Sequence, residues 1–265
     1  MNLITDNEEL RAFCAPLATA EYVTVDTEFI RERTYWPVLC LLQIAGPDSA
    51  AAVDALAPGI DLTPVFELLA NRNVLKVFHA ARQDMEIFVR AMDDCPAPVF
   101  DTQVAAMVCG FGDSVGYETL VSKLAKTSID KSSRFTDWSA RPLSEKQIKY
   151  ALSDVTHLRT VYEKLQAKLE RTGRSPWVAS EMEALQNRSF YETDPREAFE
   201  RLKVRRPTPR LLAILREVAA WRETEAQRAD VPRNRILRDE SLVEIAHHPP
   251  KSVEQLARIR GLSQK

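Results

Sequence analysis

Short runs in which apolar residues dominate, or alternate with polar ones, are the clearest pattern in the first 101 residues. Runs of about four to eight such residues, many of them β-branched, are typical of strands. The predicted strands are Tyr22–Phe29, Val38–Ala45, Ala50–Asp54, Val74–His79 and Pro98–Asp101.

Apolar residues at helical spacing separate and follow these strands. The predicted helices are Thr63–Ala70, Gln83–Met92, Thr102–Val108, Tyr117–Ala125 and Ser144–Arg171. Thr63 is a candidate cap with Pro64 at the first helical position, and Ser144 with Gln147 predicts a capping box. Early strands joined as a hairpin, followed by strand–helix units, predict an α/β fold: a mixed sheet with helices packed on it.

The C-terminal part of the chain contains only helical patterns. Residues from about Ser175 to Phe199 are charged and helical, and the segment Arg205–Pro209 then interrupts the pattern. Beyond it we predict helices over Arg210–Arg228, Ser241–His247 and Ser252–Ile259. The predicted organisation is a first domain over residues 1–170, a helical linker over 171–205 and an all-helical domain over 206–265.

Composition narrows the class of protein. Hydrophobic residues make up 45% of the 265 positions, which is ordinary for a globular protein with a core. Every apolar run is far shorter than a membrane span of about 20 residues, and the N-terminus lacks the pattern of a secretory signal, so we expect a cytoplasmic protein. The four cysteines are scattered without a C-x-x-C pair, which argues against a zinc ribbon and predicts buried reduced thiols.

Charge is distributed unevenly along the chain although the net charge is only −2. Residues 201–265 contain 15 Lys and Arg against 8 Asp and Glu, a net charge of +7, which leaves −9 for residues 1–200. An acidic first part and a basic second part suit a protein that gathers cations in one place and a polyanion in another. Ordinary surface charge on helices explains the same distribution.

Two acids stand on one predicted strand, in the segment Val23–Phe29. Side chains alternate along a strand, so Asp26 and Glu28 share one face while Val23, Val25 and Phe29 occupy the other. Adjacent carboxylates on an inner strand repel each other and are costly to bury, and a divalent cation removes that cost. A lone D-x-E is weak evidence, because a solvated strand face explains it as well.

Two further elements carry candidate acids. Asp84 lies near the first turn of a helix that follows a strand, where a favourable interaction with the helix dipole would also explain it. On the long late helix, Tyr150 and Asp154 are four residues apart and therefore point the same way. Taken alone, this pair is explained by a structural tyrosine that bonds to a surface acid.

Together these elements match, in residue type, order and separation, the tyrosine subtype of the DEDD exonuclease superfamily, and the chain most resembles the ribonuclease D family within it. Supporting stretches are Arg33–Pro37, Phe78–Ala80, Phe100–Gln103, Asp130–Ser132, Thr136–Trp138 and Arg141–Leu143. This resemblance covers roughly residues 3–200. A weaker one, to the helical nucleic-acid-binding module called HRDC, covers about residues 206–265.

The resemblance implies an RNase H-like mixed sheet flanked by helices, followed by a small all-α HRDC-like domain. Ribonuclease D-like proteins have two such helical modules, and this chain stops at Lys265, inside or just after the first. We therefore expect the chain to be truncated.

The implied activity is that of a metal-dependent 3′→5′ exoribonuclease that releases nucleoside 5′-monophosphates. The implied cofactors are two divalent ions, Mg²⁺ or Mn²⁺, and the implied substrates are RNAs with a free 3′ end such as tRNA precursors, bound by a monomer. Carried over by position, Asp26 bridges the two ions, Glu28 and Asp154 complete the site that holds the attacking water, and Asp84 supports the second ion through water. Tyr150 orients that water and helps to deprotonate it.

Substrate contacts are a separate expectation. Phe29, Trp36 and His79 are candidates to stack on or border the terminal nucleotide, although Phe29 also suits the core and His79 suits a structural hydrogen bond. Lys131, Arg134 and Arg141 lie on a long loop and are candidate phosphate contacts, and a solvated loop is the alternative for them. We expect Asp54 and Asp101 to have no catalytic role; Asp101 precedes a helix and is predicted to cap it.

Two other functions remain open from the sequence. A DNA 3′→5′ exonuclease would use the same carboxylates, and no residue in the sequence can be identified as a reader of the ribose 2′-hydroxyl. An inactive exonuclease-like binding module is the other alternative, although such proteins usually lose one of the acids, and all four acids and the tyrosine are present here.

Overall fold

The computed structural model describes residues 3–259 and 261–262, including their side chains except that of Lys131. The strands are β1 (Leu3–Ile4), β2 (Tyr22–Ile30), β3 (Val38–Ala45), β4 (Ala50–Asp54), β5 (Leu75–Phe78) and β6 (Val99–Asp101). The helices are α1 (Asn7–Leu17), α2 (Thr63–Ala70), α3 (Arg82–Met92), α4 (Thr102–Val108), α5 (Tyr117–Leu120), α6 (Glu145–Arg171), α7 (Ser175–Leu185), α8 (Pro209–Ala229), α9 (Arg233–Ile236), α10 (Asp239–His247) and α11 (Val253–Leu256).

The six strands form one sheet in the order β1-β4-β3-β2-β5-β6. Strands β3 and β4 pair antiparallel as a hairpin, whereas β2 pairs parallel with β5, and β5 with β6. The predicted mixed sheet is confirmed. Strand β2 lies in the interior of the sheet, so that side chains on both of its faces are covered.

The alternation along β2 separates two cores. Val23 and Val25 pack on one face with apolar side chains of α1 and α3, including Leu10, Met85 and Phe88. Tyr22 lies on the opposite face, in a second core that contains Val77 of β5 and Leu158 of α6. Thr24 shares that face, and its hydroxyl donates a hydrogen bond of 2.8 Å to the Val155 carbonyl of α6. The side of β2 that carries Asp26 and Glu28 is therefore the side covered by α6.

Several predicted element bounds differ from the structure. Thr63 does not cap α2: Leu62 holds the cap position without a side-chain bond, and Thr63 instead donates its own N–H to Asp61. The predicted helix Tyr117–Ala125 divides into α5 and a π-helical turn, Val121–Ala125. The predicted strand Val74–His79 shortens to β5, and the predicted helix Ser252–Ile259 shortens to α11.

Two compact units divide the chain: residues 1–30 with 39–191, and residues 31–38 with 192–265. The first contains the sheet and α1–α7. The second is a helical unit in which α8 and α10 pack around Leu215, Ala219 and Leu242. Within the predicted linker over 171–205, Val178 and Met182 of α7 pack in the core of the first unit, and Ala198 packs in that of the second.

The cysteines and the lengths of the helices bear on two expectations from the sequence. All four cysteines are buried, and none of them forms a disulfide. Among the helices of the described residues, none combines the length and apolar character needed to cross a bilayer.

Candidate active site

Three of the predicted acids meet on the α6 side of the sheet. Asp26 and Glu28 extend from β2 and Asp154 from α6. One carboxylate oxygen of each residue lies within 4.8 Å of those of the other two. Asp154 is buried, whereas Asp26 and Glu28 are half-buried and therefore reachable from solvent. Asp154 is more than a hundred positions from the other two in the chain, so its convergence with them is a property of the fold.

The start of helix α6 and its buried face determine where Tyr150 and Asp154 lie. The capping box of Ser144 and Gln147 is confirmed, and it defines where this helix of 27 residues begins. Ala151, Val155 and Leu158 are buried on its apolar face. Tyr150 and Asp154 consequently face β2, one helical turn apart, and the tyrosine hydroxyl is hydrogen-bonded to the Asp154 carboxylate.

Asp84 lies next to this group of three without belonging to it. It is in the first turn of α3 and is 7% exposed. The Thr27 hydroxyl donates a hydrogen bond to its Oδ1 atom, and its charge interacts with that of Asp26. Because Thr27 stands between Asp26 and Glu28 on β2, this bond attaches the α3 acid to the same strand.

Electrostatics at the site oppose the ionised form of every acid. Burial, and then repulsion from Asp26, Asp154 and Asp84, raises the pKa of Glu28 to about 9. Burial also raises the pKa values of Asp26, Asp84 and Asp154, and Asp26 adds repulsion to the last two. In the part of the chain that the structure describes, no lysine or arginine forms an ion pair with any of the four. The cluster is thus a concentration of negative charge that the charge of Arg134 offsets only in part at Glu28 and Asp154.

This arrangement fits a divalent cation. Carboxylate oxygens are the ligands that Mg²⁺ and Mn²⁺ prefer, and a zinc site would be expected to include Cys or His. Asp26, Glu28 and Asp154 form the one group of at least three candidate ligands that lies close enough together among the described residues. A bound cation would remove the repulsion that raises the pKa values of these acids.

Tyr117 is a neighbour of the site that the sequence analysis did not identify. Its hydroxyl lies within hydrogen-bond distance of the Asp154 carbonyl oxygen, and its ring centroid is 5.4 Å from that of His79. Burial and the nearby charges of Asp154 and Asp26 raise its pKa. Tyr117 stands at the start of a four-residue helix with no motif around it, so the sequence offers no signal for this role.

The predicted base contacts have different surroundings. Phe29 is half-buried directly after Glu28 on β2. His79 contacts the Thr102 hydroxyl through Nδ1 at 3.0 Å and also hydrogen-bonds to the Val115 backbone, which is the structural alternative considered above. Trp36 is half-buried in the segment 31–38 of the helical unit, with its ring centroid 4.6 Å from that of Tyr35.

Arg141 and Arg134, two of the residues predicted to contact phosphate, differ in their surroundings. The Arg141 guanidinium makes a two-pronged ion pair with Asp54, at 2.7 and 2.6 Å, and donates to the Trp138 carbonyl, an arrangement that favours a structural role. Arg134 is exposed, and its charge acts on Glu28 and Asp154. The side chain of Lys131 lies outside the described residues. Asp101 caps α4, as predicted, by accepting the Gln103 N–H.

Comparison with known proteins defines the class first. The sequence model of a 3′-5′ exonuclease family matches residues 1–170, and that of the HRDC domain matches residues 211–265. The first match contains the acid cluster, and the second lies within the helical unit.

Individual relatives make the assignment more specific. The chain is 56% identical over 260 residues to a protein of Granulibacter bethesdensis named ribonuclease D, and it spans 66% of that protein's length. It superposes on the crystal structure of Escherichia coli RNase D with a TM-score of 0.88 and 32% identity, covering 97% of this chain and 69% of that one. It also resembles Brucella melitensis NrnC with bound Mg²⁺, with a TM-score of 0.59 and 30% identity over 65% of this chain and 85% of that one. The chain belongs to the ribonuclease D family.

Proposed function

We propose that this chain acts as a metal-dependent exoribonuclease that removes nucleotides one at a time from the 3′ end of RNA as nucleoside 5′-monophosphates. The observation that carries the proposal is the convergence of Asp26, Glu28 and Asp154, with Asp84 beside them and Tyr150 bonded to Asp154. The E. coli relative of the same family is described as an exoribonuclease involved in structured RNA processing, which supports RNA as the substrate.

We infer that the site holds two divalent ions, Mg²⁺ or Mn²⁺. Asp26, Glu28 and Asp154 would hold one, and Asp26 with Asp84 the other. When bound, such ions stabilise the attacking and leaving oxygens of the displacement. The B. melitensis structure with bound Mg²⁺ supports a divalent ion in this fold.

Tyr150 has the role of positioning the water that attacks the terminal phosphodiester. Burial and the charges of Asp154, Glu28 and Asp26 raise its pKa, so the phenol keeps its proton at neutral pH. A protonated phenol is a hydrogen-bond donor and acceptor but not a base. Tyr150 therefore orients the water. The hydrogen bond between the tyrosine hydroxyl and the Asp154 carboxylate fixes the direction in which the hydroxyl points.

The helical unit helps to hold the RNA. Residues 201–265 carry a net charge of +7, and exposed arginines such as Arg205, Arg206 and Arg210 are available for phosphate contacts. We expect RNAs with an unpaired 3′ end, such as tRNA precursors, to be the substrates of a monomer in the cytoplasm.

Trimming of labelled oligonucleotides tests the function. We expect an RNA labelled at its 5′ end to shorten from its 3′ end with Mg²⁺ or Mn²⁺ present, to remain intact in EDTA, and to remain intact with Asp26→Asn. Faster trimming of a DNA of the same sequence would point to a DNA exonuclease. RNA binding by the wild-type protein without any trimming would identify an inactive binding module.

A further inference from the structure

An exposed aromatic side chain stands on a tight turn of the loop between α5 and α6. Phe135 is 91% exposed, the largest exposed fraction among the large apolar side chains that the structure describes. The Thr136 N–H donates to the Ser133 carbonyl at 3.2 Å and closes a four-residue turn, so that Arg134 and Phe135 occupy its two central positions. We refer to residues 133–136 as the Arg-Phe turn.

The Arg-Phe turn is fixed at both of its ends. Ser133 is 4% exposed, and Gln147 at the start of α6 donates to the Thr136 hydroxyl at 3.2 Å. Two residues further on, Trp138 is buried with its ring centroid 6.1 Å from that of Tyr150. The same anchoring therefore holds both the turn and the tyrosine of the active site, and the exposure of Phe135 is a property of a fixed turn.

Arg134 links the exposed ring to the acid cluster. Its guanidinium lies 5.2 Å from the centroid of the Phe135 ring. Its charge also lowers the pKa values of Glu28 and Asp154 against the effects of burial and repulsion. The chain thus presents a cation and an exposed aromatic ring side by side, on a turn that is hydrogen-bonded to the start of the helix that carries Tyr150 and Asp154.

We propose that the Arg-Phe turn binds the single-stranded 3′ end of the RNA substrate, with Phe135 stacked on a base and Arg134 paired with a phosphate near the cleaved bond. This assignment rests on the proposed exoribonuclease function and adds a substrate-recognition element to it. An aromatic ring stacks on the face of any base, so the contact does not depend on sequence. A paired base is not available for such stacking, so the contact selects an unpaired 3′ end.

Kinetics of a set of variants at the turn test the proposal. The substrate is a short unpaired RNA, and the variants are Phe135→Ala, Phe135→Leu and Phe135→Trp. Loss of one base–aromatic stack corresponds to roughly a tenfold or larger increase in KM. We expect that increase in Phe135→Ala and Phe135→Leu with kcat within about twofold of wild type, and recovery in Phe135→Trp, because only the ring is replaced there by another ring.

A matched control exists in the same unit. Trp177 of α7 is 64% exposed, and the Arg174 guanidinium lies 5.2 Å from its ring centroid, the same distance as in the Arg-Phe turn. Trp177→Ala removes an exposed aromatic with an arginine beside it, and we expect it to leave KM unchanged. An unchanged KM in Phe135→Ala, or an equal increase in Phe135→Ala and Trp177→Ala, would overturn the proposal.

The phosphate contact has its own readout. Each phosphate contact on a single strand contributes about 0.7 to the slope of log affinity against log salt concentration. We expect Arg134→Gln to lower that slope by about this amount for RNA binding, and Arg134→Lys to keep it. An unchanged slope in Arg134→Gln would exclude Arg134 from phosphate binding.

Binding measured in EDTA, where no hydrolysis is expected, separates this proposal from the proposed function. If the wild-type protein binds the RNA but never trims it with metal present, the exoribonuclease function fails, and the difference in affinity between wild type and Phe135→Ala still tests the turn. If trimming occurs and affinity and KM are the same in both proteins, the turn proposal fails and the function stands.

Discussion

Each of the two compact units buries carboxylates, but the surroundings of these groups are opposite. In the first unit, Glu28 lies among Asp26, Asp84 and Asp154, and burial and mutual repulsion raise its pKa to about 9. In the helical unit, Glu223 is completely buried, yet its pKa is lowered. Burial alone would raise the pKa of Glu223, and hydrogen bonds from Arg233 and from the Tyr35 hydroxyl outweigh it.

The geometry of the Glu223 cluster explains this difference. Arg233 donates to both carboxylate oxygens of Glu223, at 2.6 and 3.0 Å, and the Tyr35 hydroxyl donates to one of them. The same unit uses Asp230 at the end of α8 to accept the backbone N–H groups of Tyr35 and Trp36. Here the chain supplies its own cation, and the buried charge helps to hold the segment 31–38 in the helical unit.

Buried acids that serve stability and buried acids that serve function differ in the partners that the chain gives them. A buried carboxylate that serves stability is given its partners by the chain, because an unpaired buried charge costs several kcal/mol. A group of buried carboxylates left without such partners lowers stability, and natural proteins keep such arrangements where function requires them. The acid cluster of the first unit is of this second kind.

Replacing an acid in each cluster should give the largest contrast. We expect Asp154→Asn to lower kcat for RNA trimming by about a thousandfold, because several kcal/mol of charge stabilisation are lost with the ion. Glu223→Gln is the matched control, and its kcat at a temperature where it remains folded should stay within about threefold of wild type. Equal losses of kcat in the two variants would remove the distinction.

Removing Arg233 should leave a carboxylate of the helical unit without a positive partner, as in the acid cluster of the first unit. Arg233→Met leaves Glu223 buried without a positive partner, which is expected to lower the free energy of unfolding by about 3 kcal/mol. Urea unfolding followed by circular dichroism measures this. As the counterpart, Asp154→Asn in EDTA should not destabilise the protein, and a loss as large as that of Arg233→Met would contradict the account.

The role of Tyr150 can be separated from that of the acids. We expect Tyr150→Phe to lower kcat by roughly a hundredfold, since a positioned group in the transition state contributes about that much. Metal affinity and RNA affinity, measured by calorimetry and by anisotropy, should remain within about threefold of wild type. A Tyr150→Phe protein that loses metal affinity as strongly as Asp26→Asn does would show that the tyrosine builds the metal site.

The smallest expected effect is a pH dependence of stability. The pKa of Glu223 is lowered in the folded protein, so its contribution is present above its unfolded pKa of about 4.3 and is lost as the pH falls through the folded value. The difference in unfolding free energy between wild type and Glu223→Gln should therefore be constant from about pH 6 to 7 and shrink below about pH 4. A difference in unfolding free energy that grows as the pH falls would contradict this prediction.

Much of the first unit could be predicted because its signals are local. Alternation placed Asp26 and Glu28 on one face of β2, and the spacing of four residues placed Tyr150 and Asp154 on one face of α6. Helix α1 was missed although it carries such a signal: Leu10, Cys14 and Leu17 are buried at helical spacing, and Asp6 caps the helix.

Other features have no local signal. Residues 31–38 lie between two strands of the sheet, and nothing near Tyr35 in the sequence indicates that they belong to the helical unit. The partners of Tyr35, Glu223 and Asp230, lie 188 and 195 positions away from it. The position of Tyr117 against the Asp154 carbonyl likewise depends on how α5 and the π-helical turn that follows it pack beside α6. Such contacts follow from tertiary structure and could not be predicted from patterns along the chain.

Thermal unfolding of the metal-free protein during a titration with Mn²⁺ tests the central claim most directly. A ligand that binds only the folded state stabilises it by about 2.7 kcal/mol at a hundred times its dissociation constant. We predict that Mn²⁺ raises the Tm of the wild-type protein and of Tyr150→Phe, and does not raise the Tm of the double variant Asp26→Asn with Asp154→Asn. A wild-type Tm that does not respond to Mn²⁺ or Mg²⁺, or a double variant that responds as the wild type does, would contradict the account.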